Sequence, residues 1–156
     1  MPHTPETADE DAWHRFFAIE ANNRAWDLAV SERDGELDLE MLNAAHCAAM
    51  HWNAVGTELH RFRAKMLLAE VHALLGYANS AVTLAEEVKQ FFDSPTTPDW
   101  EAALVLAIHA HAHQVARNEE AYRPSYAEAL AAINQIADDQ DREIVMQTFG
   151  QIPAPW

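Results

Sequence analysis

The stretch LLAEVHALLGYANSAVTLAEEV, Leu67–Val88, decides how this chain is read. Before Gly76, the residues Leu67, Val71, Leu74 and Leu75 recur at spacings of three and four. That period gathers side chains on one face of an α-helix. Gly76 ends the pattern, because glycine accepts the left-handed backbone that closes a helix at its C-terminal end. After a short polar turn, a second alanine-rich pattern runs from about Ala78 to Phe92.

Further along, HAHAHQVARNEEAYRPSYAEAL (His109–Leu130) repeats the plan. An alanine-rich helix ends, a polar turn follows, and Ala121 opens the next helix as Ala81 does, 40 residues on. Between the two units, DSPTTPD (Asp93–Asp99) is the clearest break, and it lengthens a repeat period of the helix-pair type.

The remaining boundaries are read from caps. Thr7 followed by Glu10 is a capping box that starts a first helix running to about Val30. Asp38 can cap a second helix that stops at Gly56, with Met41, Ala44, Ala45, Ala48, Trp52 and Val55 forming its apolar stripe. Thr57 can cap the third, with Phe62, Met66 and Val71 among its inward residues. A fifth helix starts at Thr97–Pro98, since proline at the first helical position loses no hydrogen bond. The sixth starts either at Asn118, with Pro124 inside it, or at Ser125 paired with Glu128. A seventh runs from about Asp139 to Phe149. The expected fold is all-α, about seven helices joined by short loops as antiparallel neighbours in one domain over 1–156. Residues 1–6 and the tail 151–156 are expected to be flexible.

Composition narrows the function classes. The formal net charge is −15, which repels nucleic-acid backbones and anionic membranes and favours a basic or neutral partner. Cys47 is the one cysteine, so no internal disulfide forms and a reducing compartment fits. The N-terminus lacks the basic and apolar regions of a signal peptide, and no apolar stretch reaches bilayer length. A cytoplasmic protein without a cofactor is expected. An exposed Trp156 gives a homodimer a docking residue.

The segment Leu67–Val88, with a small residue at Ala69, glycine at Gly76 and then Ala81, resembles one tetratricopeptide repeat. The segments FFAIEANNRAWDLAV, AAHCAAMHWNAVGT, LLAEVHALLG and IADDQDREI resemble a group of uncharacterised bacterial proteins of this helical-repeat type. Arg117 departs from the pattern, standing where the repeat turn usually has glycine. The resemblance implies a short right-handed superhelix of about three helix pairs plus a capping helix. It implies no reaction. It maps the inner face of the groove to Arg63, Met66, Glu70 and Ala73, and then to Ala103, Leu106, Ala110, His113 and Gln114. Arg63 and Gln114 lie off the predicted apolar stripes, so replacing both with alanine is expected to leave stability nearly unchanged.

Histidines supply the other candidates. His109 and His113 are four apart and share a helix face, while His111 points away and continues the stripe of Leu104, Ile108 and Val115. The pair is a weak metal candidate, because a site needs donors from another helix. The first expectation is instead that both imidazoles are partly buried and bonded to adjacent helices. Cys47 and His51, also four apart, make only a half-site, and a small buried thiol is the commoner outcome. His72 and Asn23 fall on apolar stripes, and such buried polar groups need hydrogen bonds. An alternative polar pocket is built from Asn22, Asn23, Trp26, His46, His51 and Trp52. The leading expectation is an interaction module that binds a protein or peptide through the groove. The rival is a small-molecule-binding protein or enzyme using the pocket.

Overall fold

The computed structural model describes residues 3–6 and 9–155. Among them the regular secondary structure is seven α-helices with no strand: α1 (Glu10–Ala29), α2 (Gly35–Val55), α3 (Glu58–Leu74), α4 (Ala78–Phe92), α5 (Asp99–Val115), α6 (Glu119–Asn134) and α7 (Asp139–Phe149). Thr7 and Trp156 lie outside the described residues. Connections of two to six residues force successive helices to return antiparallel. No helix of the described residues is long and apolar enough to cross a membrane.

Side-chain oxygens set most of the helix starts, by accepting backbone N–H groups that have no partner within the helix. Asp9 caps α1, Asn118 caps α6 and Asp138 caps α7. Asp34, not Asp38, caps α2, with Oδ1 3.1 and 3.0 Å from the amides of Glu36 and Leu37. Asp38 instead pairs with Arg33 at 2.8 Å. Thr57 caps α3, and His60 returns the bond through Nδ1, an imidazole completing a capping box. The structure chooses the earlier start for α6. Pro124 is tolerated inside it because both Pro124 and Glu120, whose carbonyl loses its partner, are exposed to water. Ser125 is therefore mid-helix and buried, not a cap.

Two helix pairs repeat closely. Helices α3 and α5 are each 17 residues long, and both α3/α5 and α4/α6 begin 41 positions apart (99 − 58 and 119 − 78). Their turns carry the same bonds. Gly76 N–H donates to Ala73 O and Tyr77 N–H to His72 O, while Arg117 N–H donates to Gln114 O and Asn118 N–H to His113 O. This double bond pattern is the Schellman motif. Its left-handed residue is Gly76 at φ 77° and Arg117 at φ 56°. The register is thus one residue longer than matching Ala81 to Ala121 suggests. It places buried Tyr122 opposite buried Ala81, and the turn sets the phase.

Arg117 adopts a conformation that disfavours a Cβ atom. Its side chain is exposed, so little is lost with it. Arg117→Gly is expected to raise stability by about 0.5–1 kcal/mol, the relief of strain exceeding the added freedom of the unfolded chain. A lower urea midpoint for this variant would contradict that account.

Alternate helices make a continuous layer: α1 packs on α3, α3 on α5 and α5 on α7, while α2, α4 and α6 back onto them. The layer's central helices are buried nearly all round, α5 with eleven buried residues from Glu101 to His113. Part of the C-terminal tail packs against the helices. Ile152 is buried, the Tyr122 hydroxyl donates to the Pro153 carbonyl, and Gln151 Nε2 donates to Ala29 O at 3.1 Å. The last bond joins the region after α7 to the end of α1.

Candidate functional site

A cavity of about 460 Å³ opens on the layer of alternate helices. Helix α1 contributes Asn22, Trp26 and Asp27, with Val30 at its end; α3 contributes His60, Arg63 and Met66. From α5 come Trp100, Glu101 and Leu104, and from α7 Ile144, Gln147 and Thr148. Trp52 of α2 closes the wall and stacks on His60 with ring centres 4.3 Å apart and planes 5° from parallel. Three tryptophans with a few polar groups make the mixed lining typical of ligand sites.

Glu101 and Arg63 supply the charge. Glu101 is 1% exposed, and Arg63 grips it with Nε–Oε1 at 2.6 Å and Nη2–Oε2 at 3.0 Å. The bond to Glu101 raises the Arg63 pKa further above its already high ordinary value. Two N–H groups serve Glu101, and the remaining guanidinium donors have no partner among the described residues. The site thus holds a neutralised pair that keeps hydrogen-bond donors available.

This pairing overturns the expectation that Arg63 is dispensable. Arg63→Ala strands a buried carboxylate. Losing one partner of a wholly buried pair costs about 3–5 kcal/mol. Arg63 is 39% exposed, so water reaches the vacated carboxylate and about 2–3 kcal/mol is expected. Urea unfolding checks it, and Arg63→Met with Glu101→Leu should recover most of the loss. The same cost applies to Arg63→Ala combined with Gln114→Ala.

The cavity draws on both sets of sequence candidates. It brings together Arg63 and Met66 with Asn22, Trp26 and Trp52. It leaves out the others. Glu70 is fully buried, bonded to His111 through Nδ1 at 3.1 and 3.0 Å. Ala103 and Ala110 lie in the core, and Ala73 packs there too. Leu106 lines a different depression beside Phe92 and Lys89. Gln114 is half-buried at the end of α5. Asn23 is exposed, off the buried face of α1 made by Ala18, Ala25, Leu28 and Ala29. His51 meets His14 with Nδ1 atoms 2.7 Å apart, and His46 lies 5.7 Å from the ring of His72. Cys47 is half-buried rather than enclosed. Trp100, Glu101, Gln147 and Thr148 were not legible as site residues.

No family model, curated protein or solved structure matches this chain. Its chemistry is therefore read from its own geometry.

A second constellation lies on the opposite side of α5. His109 and His113 are each 5% exposed, and their Nε2 atoms both stand 2.9 Å from Glu86 Oε1 on α4. Ser125 Oγ of α6 lies 3.0 Å from His109 Nδ1, and Asn118 Nδ2 lies 3.4 Å from His113 Nδ1. Both imidazoles are bonded to adjacent helices, and Glu86 is the third donor that sequence could not place. His72 also makes an interhelical bond, 2.6 Å from Ser80 Oγ.

Four imidazoles have pKa values held below their ordinary range: His109, by burial, and three others. Burial lowers His51, aided by neighbouring His14; burial lowers His60, aided by Arg63 and Arg15; burial lowers His72, aided by His46. The unfolded chain then takes up protons first as pH falls. Stability from these groups is complete above about pH 6.5 and is lost as pH falls through their lower folded values. The urea midpoint should drop over the range just below about pH 6.5. A midpoint that stays level or rises on acidification through that window would count against this linkage.

Proposed function

We propose that the protein is a binding module whose cavity receives one compact apolar group, most simply an aromatic anchor side chain of a partner peptide. The observation that carries this reading is the wall of Trp26, Trp52 and Trp100 around an arginine with unused donors. Aromatic walls give contact area at low entropic cost, and the guanidinium offers hydrogen bonds to a carbonyl beside the anchor. The 41-residue repeat of helix pairs supports a scaffold of tetratricopeptide type, in which stacked pairs present such an inner surface. The charge of −15 speeds encounter with a basic or neutral partner. A cytoplasmic setting belongs to the same proposal.

The bond from Gln151 to Ala29 favours a second reading, a free small aromatic molecule. It joins the two ends of the layer beside the cavity, which suits a compact ligand better than a long extended peptide. Selection from a random peptide library on the immobilised chain separates the two. Peptides sharing one aromatic or large aliphatic residue are expected, and Asn22→Trp, which fills the mouth from a half-buried position, should abolish their binding. Peptides that bind this variant unchanged would remove the cavity from the proposal. Fragment-sized aromatics that quench tryptophan fluorescence when no peptide is recovered would select the small-molecule reading.

A further inference from the structure

We propose that Glu86, His109 and His113 form a binding site for a divalent transition-metal ion, Zn2+ by preference, with one coordination position open to solvent. Three donors of two types converge there from two helices. The candidate ligand atoms all lie within 4.8 Å of one another, and each Nε2 is 2.9 Å from the Glu86 oxygen. Bonds of about 2.0–2.1 Å to a tetrahedral ion put neighbouring ligands roughly 3.3 Å apart. Modest outward movement of three side chains therefore accommodates the ion. Two imidazoles and one carboxylate suit zinc, whereas calcium and magnesium ask for oxygen.

The burial pattern fits an accessible ion. The two rings are 5% exposed and fixed by packing, while the Glu86 side chain is 55% exposed and marks the way in from solvent. The partners of the far ring nitrogens also matter. Coordination through Nε2 requires the ring proton on Nδ1, with an acceptor to orient it. Ser125 Oγ can accept from His109 at the observed 3.0 Å. Asn118 must turn its carboxamide so that oxygen rather than Nδ2 meets His113, giving up its 3.3 Å cap bond to the Ala121 amide. Lys89 is the nearby cation that opposes binding, and its ammonium is drawn aside by Glu128 at 3.5 Å. The site lies across α5 from the tryptophan-lined cavity, so the two proposals stand or fall separately.

Calorimetric titration of the untagged full chain with zinc chloride tests the proposal. The expected result is one ion per chain at micromolar affinity or tighter. Glu86→Gln keeps the side-chain shape at an exposed position, so folding is not at issue. It should weaken binding at least tenfold, since even groups that only orient a ligand are worth about 10–100-fold. His113→Ala should abolish it, and His51→Ala should leave it unchanged. Cobalt(II) in place of zinc should give the intense visible absorption of a tetrahedral site in the wild type alone. Millimolar binding, or an affinity indifferent to Glu86→Gln, means an adventitious ion only and overturns the proposal. So does tight binding that survives His109→Leu with His113→Leu.

Discussion

His111→Leu should lower the free energy of unfolding by about 3–5 kcal/mol, the cost of leaving the fully buried Glu70 side chain without its hydrogen-bond partner. Glu70 is fully buried on α3, and its carboxylate meets His111 of α5 through both oxygens. The two residues occupy equivalent positions in successive helix pairs, 41 apart, so their bond ties one repeat to the next. Leucine fills the volume of the imidazole but offers nothing to the carboxylate. Glu70→Leu with His111→Leu removes both polar groups together and is expected to recover most of the stability. A double-mutant cycle in urea gives the coupling between them. If the two single losses simply add in the double variant, the pair does not act as a unit.

Trp52→Ala is expected to cost a similar amount, about 3–5 kcal/mol. Trp52 is 8% exposed and packs against Ala18, Ala48 and Ala64, where small residues let three helices approach the indole. Truncation leaves a void that joins the tryptophan-lined cavity and removes the stacking partner of His60. The turn after α2 is shaped to the same ring. A Cβ on Gly56 would come within 2.5 Å of the Trp52 carbonyl oxygen and 3.2 Å of its indole. Urea unfolding followed by circular dichroism measures the loss. A cost below about 1 kcal/mol would mean that the alanine wall collapses to fill the space, contrary to this packing account. The proposed ligand affinity should fall with it, because one of the three aromatic walls is gone.

The sequence by itself determined the helices, their number and most of their ends. Gly56, Thr57 and Gly76 act on backbone groups within a turn of themselves, so their effect is local. The stripe of α2 was legible for a related reason. Met41, Ala45, Ala48 and Trp52 are buried on one side only, and a one-sided pattern gives a direction. Only the tertiary structure decided which face of α5 meets the cavity. That helix is buried almost all round, so its apolar periodicity carries no phase, and the face of Trp100, Glu101 and Leu104 had no signature against that of Leu106 and His113. The polar constellations were hidden for another reason. Arg63 finds Glu101 from 38 residues away, His111 finds Glu70 from 41, and His109 and His113 find Glu86 from 23 and 27. Such separations are set by how helix pairs stack, and stacking depends on side-chain volumes across three or four helices at once.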